Sequence, residues 1–255
     1  MFLVVGSGGN GQTYFMQFLR NNGININNIK DGDKLKHLSS PDKIKSTMAK
    51  QAQYKDVVVK KCIFLYNHPY HSFISHYRRK WQYKQFRKLG NPKSLTIEHF
   101  RDFNYIKNAT IKNNKDIYGF AYQFKNWISE TRYNNLDILF LDFNDVLNQK
   151  DRLDAFVGKE LNYDLFTVKK RHADKIIHPD LYIIYDKLYR HMKTRIKRRE
   201  NRELIKEQYP EKYKALIKKL RAKNNAKKGG CGAKKGGTTC SIKKSACSKK
   251  NCCSR

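Results

Sequence analysis

The chain has 255 residues, enough for one substantial core or two small ones. Its hydrophobic fraction is a modest 39%, yet 13% of residues are aromatic, which excludes a chain disordered throughout. A formal net charge of +32 points to polyanions or to sulfated and phosphorylated molecules as partners.

The charge is uneven: residues 169–255 carry 28 Lys and Arg against 7 Asp and Glu, so most of the excess lies in the last third. Phe2-Leu3-Val4-Val5 is too short for a signal peptide and runs into a glycine loop. No apolar stretch approaches the roughly 20 residues that span a bilayer. Cys62 stands alone in an apolar run and the other cysteines lie in the tail, as in a protein of a reducing compartment. An intracellular location without a transmembrane segment is expected.

In chain order, residues 1–6 read as a short buried strand, followed by a glycine loop and a helix over 13–21. Residues 22–56 are polar and carry no clear period. Residues 57–59 and 62–66 read as one or two strands, ended by Pro69. A helix rich in aromatics and positive charge follows over 70–88. Gly90-Asn91-Pro92 is a loop signal. Helices are expected over 96–107 and 118–131, a strand over 137–143, then a turn at 145–147 and a helix to residue 156.

This alternation predicts an α/β fold with three layers, a central parallel sheet flanked by helices. After Pro179 the character changes to two highly charged helices, 181–202 and 203–223, with a sparse apolar stripe. The final segment is low in complexity, built of Lys and Gly pairs with Ser, Thr and Cys, and is expected to be disordered. The predicted organisation is a P-loop domain over 1–175, a basic helical extension over 176–223 and a tail over 224–255.

The chief chemical motif is Gly6-Ser7-Gly8-Gly9-Asn10-Gly11-Gln12-Thr13, between a strand and a helix. Glycines let backbone N–H groups turn toward phosphate oxygens, and a helix N-terminus adds a favourable dipole. The spacing fits G-x-x-x-x-G-K-[ST] except that Gln12 replaces the lysine, which argues against an active NTPase. Gly8, Gly9, Asn10, Gly11, Gln12 and Thr13 are the candidate phosphate-binding residues. A Rossmann-type turn, or a glycine turn without a ligand, is the competing reading. Downstream, Ser75, Arg78 and Arg79 fall on one face of the expected helix and offer a hydroxyl and two guanidinium groups to a phosphate. A solvated basic face is the alternative there.

Together, the glycine loop and the segment Asn67-His68-Pro69 through Ser75-His76-Tyr77 resemble the P-loop sulfotransferase family. The family pairs such a loop with a strand ending in Arg-x-Pro and a serine six residues after the proline, as Pro69 and Ser75 are spaced. Tyr118-Gly119, Gln123-Phe124, Trp127 and the run from Ile138 to Phe143 extend the resemblance to about residue 172, as packing positions rather than chemistry. The Lys-, Asn- and Tyr-rich style is similar to sulfotransferase-like proteins of giant DNA viruses, which implies host cytoplasm or virion as the setting.

The resemblance implies a sulfotransferase that moves a sulfuryl group from 3′-phosphoadenosine-5′-phosphosulfate (PAPS) to a hydroxyl or amine, with the Ser75 region on the 3′-phosphate and no metal. This sequence departs from the family at two positive positions, with Gly9 in the loop and Asn67 before the proline. Lys34, Lys36 and His37 fall where some relatives carry a basic, histidine-containing loop, so Lys36 is a candidate catalytic cation and His37 a candidate general base, with a plain surface loop as the alternative. His172 is a further candidate to close over a nucleotide, and a plain charge run is its alternative.

The missing charges and the basic extension favour a second reading, a non-catalytic degenerate P-loop protein that binds a nucleotide or a polyanion such as nucleic acid or a sulfated glycan. A nucleotide kinase is disfavoured by Gln12 and by the lack of an acidic strand end beyond Asp142. The tail cysteines Cys231, Cys240, Cys247, Cys252 and Cys253 match no zinc spacing and read as redox-sensitive thiols among lysines.

Overall fold

Three short apolar segments form one parallel sheet in the order β1-β2-β3: β1 (Phe2–Val5), β2 (Lys61–Tyr66) and β3 (Asp137–Asp142). The computed structural model describes residues 1–91, 95–129, 136–166 and 177–229. The pairing runs from Phe2 opposite Lys61 to Val5 opposite Phe64, and from Lys61 opposite Asp137 to Tyr66 opposite Asp142. A single parallel bridge, Phe2 to Ile26, extends the outer edge of β1. Residues 57–59 are not a strand; β2 begins only at Lys61.

Alternate strand residues face opposite sides, as the two-residue period of a strand requires. Val4, Ile63, Leu65, Leu139 and Leu141 pack against Phe15, Met16 and Leu19 of α1 (Gln12–Asn21) and against Leu153 of α8 (Lys150–Val157). Leu3, Val5, Cys62, Phe64 and Phe140 meet Phe124 and Trp127 of α7 (Phe120–Ile128) and Met192 and Ile196 of α9 (Pro179–Gln208). Helices therefore cover both faces of a buried parallel sheet. Each fully buried Leu, Met or Phe contributes about 1.5–3 kcal/mol.

A third cluster lies beside the sheet. It joins α3 (Pro69–Arg78), α4 (Gln82–Leu89), α5 (Ile97–Arg101), α6 (Phe103–Lys112) and the start of α9 through Tyr70, Phe73, Phe86, Phe100, Tyr118 and Tyr185. The helix expected over 70–88 is in fact two. After Arg78 the chain closes a Schellman motif: Trp81 N–H bonds the His76 carbonyl at 2.9 Å and Lys80 N–H the Tyr77 carbonyl at 3.0 Å. Lys80 takes the left-handed conformation (φ 57°) that glycine usually fills, so no residue type announced the break. The helix expected over 96–107 is likewise divided at Asp102, whose carboxylate caps α6 by accepting from Asn104 N–H.

The described residues form two compact units, divided between Glu200 and Asn201. The second contains the end of α9 and α10 (Pro210–Gly229). Pro210 stands at the first position of α10, where its missing N–H costs nothing. The helix boundary expected at 202–203 thus lies at 208–210, and α10 runs to Gly229. No described helix is long and apolar enough to cross a membrane. Of the tail expected to be disordered over 224–255, residues 224–229 instead continue α10, while the rest, with its cysteines, and the 169–172 charge run with His172 lie outside the described residues.

Candidate functional site

The glycine loop joins β1 to α1. Gly11 is the N-cap of α1 in the left-handed conformation (φ 85°) and supplies no side-chain cap, and the first turn has no acidic residue. The helix therefore presents a positive dipole end that no acidic residue of its first turn neutralises. Space around the loop is tight. A Cβ on Gly11 would stand 2.3 Å from the Phe143 ring, and one on Gly9 would meet Ser72 and Ser75 at 3.1–3.2 Å. These glycines serve packing as well as any ligand.

Two polar side chains expected to face a phosphate turn inward instead. Asn10 is fully buried; its Nδ2 donates to the Leu65 carbonyl at 2.7 Å and its Oδ1 accepts from Gln12 N–H. Gln12 is 3% exposed, and its Nε2 donates to the carbonyls of Val4 and Lys36 at 3.2 and 2.9 Å. Gln12, at the position where the G-x-x-x-x-G-K-[ST] spacing has lysine, thus holds the backbone of another lysine in place.

That lysine comes from the segment whose sequence showed no period. Asp33 is fully buried and accepts from Asn28 N–H, Leu35 N–H and the Tyr54 hydroxyl, which folds residues 28–35 into a rigid turn. Trp127 Nε1 and Gln123 Nε2 of α7 both donate to the Leu38 carbonyl. Between these anchors the Lys36 carbonyl also accepts from Gly6 N–H at 3.1 Å. The Lys36 ammonium then reaches the head of α1, donating to Thr13 Oγ1 and to the Ile29 carbonyl, both at 2.8 Å. Burial, opposed by Asp31, lowers its pKa from 10.5 to about 8.

His37 lies beside it, with Nδ1 2.9 Å from the Gly6 carbonyl. A carbonyl only accepts, so Nδ1 carries the hydrogen and Nε2 of the neutral ring keeps its lone pair. Burial lowers the His37 pKa to about 4, so the ring is neutral at pH 7. It has the protonation state and orientation of a base held by a backbone carbonyl.

Lys36 and His37 line a cavity of about 100 Å³ with Gly8, Gly9, Gly11, Gln12, Thr13, Tyr14, His76, Arg79, Trp81 and Gln85. The volume suits one tetrahedral oxyanion; pockets that enclose drug-sized ligands run to about 300 Å³ or more. The lining holds two cations, Lys36 and Arg79, and no carboxylate.

The trio Ser75, Arg78 and Arg79 is split. Because α3 ends at Arg78, Arg79 is its C-cap, and its guanidinium lies 5.7 Å from the Trp81 ring centroid at the cavity wall. Arg78 is exposed and outside the lining, and Ser75 packs beneath Gly9 rather than in the cavity. Asn67, at the position before His68-Pro69, accepts a hydrogen bond from Ser72 at 2.9 Å and is buried. Asp142 is also committed: it bonds the Tyr189 hydroxyl and Asn144 N–H and pairs with Lys193 at 3.2 Å. Among the described residues no group of three His, Cys, Asp or Glu could hold a metal ion.

His76, Trp81 and Gln85 were not anticipated as site residues. His76 reads from sequence as one more aromatic position on a core helix, and only the Schellman turn carries Trp81 and Gln85 to the loop. Compared with family models, with curated proteins and with solved structures, the chain finds no match.

Proposed function

We propose that the head of α1 is an oxyanion site for the phosphosulfate of PAPS, in a P-loop-type domain, and that the protein transfers a sulfuryl group to a hydroxyl or amine acceptor. The observation that carries this reading is the Lys36 ammonium at Thr13, on the first turn of a helix that has no acidic residue there. It supplies the positive charge that Gln12 and Gly9 lack. Two of its three hydrogens are committed to Thr13 and Ile29, which leaves the third for a ligand oxygen.

In this reading the acceptor oxygen attacks sulfur while the bond from sulfur to the phosphate oxygen breaks. His37 Nε2 takes the acceptor proton, and Lys36 with the loop N–H groups meets the charge that grows on the leaving phosphate. The step needs no oxidant and leaves 3′-phosphoadenosine-5′-phosphate as product. The test is calorimetric titration of the full chain with that product, with ATP and 5′-AMP as controls, followed by a transfer assay with PAPS and model phenols and amines. Saturable binding that requires the 3′-phosphate supports the donor site. Equal binding of every nucleotide, abolished by salt, removes it.

The cavity volume of about 100 Å³ favours one further reading. A site sized for a single oxyanion suits a non-catalytic protein that binds a phosphate or sulfate group of a larger polyanion. Binding to nucleic acid or sulfated glycan without PAPS turnover distinguishes this reading from the first.

A further inference from the structure

His76 is 1% exposed, yet it forms part of the wall of the cavity at the head of α1. Its ring is held between Tyr118 and Phe120, at centroid distances of 5.6 and 6.0 Å. The Tyr118 hydroxyl has one hydrogen and donates it to the Gln82 carbonyl at 2.7 Å. Its oxygen, 2.9 Å from His76 Nδ1, is then the acceptor, which assigns the ring hydrogen to Nδ1.

Nε2 of the neutral ring therefore bears a lone pair, and it is buried without a hydrogen-bond partner among the described residues. Gln12 Oε1 and Gln85 Oε1, also on residues of the lining, are buried acceptors in the same condition. A buried polar atom without a partner costs about 1–3 kcal/mol. An oxyanion brings only further lone pairs to such a wall. A proton on Nε2 turns the acceptor into a donor, gives the site a third cation and lets the ring bond the adjacent Gly8 carbonyl, a contact that favours the protonated ring.

We propose that an oxyanion enters this cavity together with a proton taken up at His76 Nε2, which makes His76 a cation that the ligand itself induces. The proposal rests on the anion-site reading above. The groups acting on His76 are His37 from the loop segment and Arg79 from the end of α3, both of which disfavour its charge. Asp31 acts on Lys36 and His37 instead. The Tyr118 hydroxyl stays protonated, because burial raises its pKa well above the ordinary value. Burial above all, with lesser contributions from Arg79 and His37, lowers the His76 pKa to about 3, so at pH 7 the proton is absent until an anion arrives. By linkage, the anion raises the proton affinity by the same factor as the proton raises the anion affinity.

The experiment is calorimetric titration of the full chain with inorganic sulfate, which has no titrating proton near neutrality, in two buffers of different ionisation enthalpy. At pH 6 Lys36, lowered only to about 8, is already protonated and contributes nothing. We expect uptake approaching one proton per sulfate bound, and affinity that falls by up to about tenfold per pH unit between the free-state pKa and the higher bound-state pKa and levels off above it. Imidazole nitrogen NMR of the wild-type chain should place the new proton on His76, and His76→Gln should abolish the uptake and flatten the pH dependence. Saturable binding without proton uptake, or uptake placed on His37, overturns the proposal and leaves the anion site standing. Absence of saturable sulfate binding at low salt overturns both. If His76→Gln does not fold, the wild-type nitrogen shifts decide alone.

Discussion

Lys36→Met separates a lysine kept for a ligand from a lysine kept for the fold. Lys36 is 6% exposed, and burial lowers its pKa from 10.5 to about 8. At about 1.4 kcal/mol per pKa unit, the native state disfavours the charged form by roughly 3 kcal/mol. Because the folded-state value lies below the unfolded one, the native state binds fewer protons between about pH 8 and 10.5. Stability from this group therefore rises with pH across that window, and the full cost is present below pH 8.

Methionine removes that cost at pH 7 and loses the bonds to Thr13 and Ile29, each worth about 0.5–1.5 kcal/mol net. The two changes nearly offset, so unfolding free energy should stay within about 1–2 kcal/mol of wild type. Anion affinity should not survive. A hydrogen bond from a charged donor is worth about 1.5–3 kcal/mol, a loss of about 10- to 150-fold. Denaturant unfolding at pH 7 and titration with 3′-phosphoadenosine-5′-phosphate read both quantities on one protein. A variant destabilised by more than about 3 kcal/mol that still binds the anion at wild-type strength would show that Lys36 is a structural residue and refute the reasoning.

Other substitutions test the remaining assignments. Gln12→Lys restores the usual loop motif but removes two buried tethers to Val4 and Lys36; thermal melts should show a loss of about 1–3 kcal/mol, with weaker rather than tighter nucleotide binding. Gly11→Ala meets both a φ of 85° and the Phe143 ring, so a loss of about 2–4 kcal/mol is expected by denaturant titration. Arg79→Ala should weaken sulfate binding severalfold while Arg78→Ala leaves it unchanged, because only Arg79 lines the cavity; equal effects would restore the one-face reading. Lys80→Gly should stabilise the Schellman turn by about 1 kcal/mol, measured as a higher melting temperature, since glycine adopts φ near 57° without strain.

Much of the scaffold was legible in the chain. The β-branched and apolar runs at Phe2–Val5, Lys61–Tyr66 and Asp137–Asp142 are buried on both faces, and such strands read as continuous apolar segments whatever surrounds them. The glycine loop could be placed between a strand and a helix for the same reason, because apolar periodicity and glycine are local properties. Gly23 closes α1 with the residue type that a left-handed C-terminus prefers, so that end was visible too.

Three-dimensional packing decided the site. Lys80 fills a left-handed position on the strength of two backbone hydrogen bonds, and that turn, unmarked by Gly or Pro, separates Arg79 from Arg78. Residues 28–37 have no period because buried Asp33 and the carbonyls of Gly6 and Lys36 organise them, not an amphipathic face. Gln12 looks like a lost lysine when read along the chain, yet in space it is the clamp that brings Lys36 to Thr13. Local propensity determines which segments become strands and helices. Hydrogen bonds between residues far apart in sequence determine which side chains meet at the head of α1, and no period or spacing encodes those.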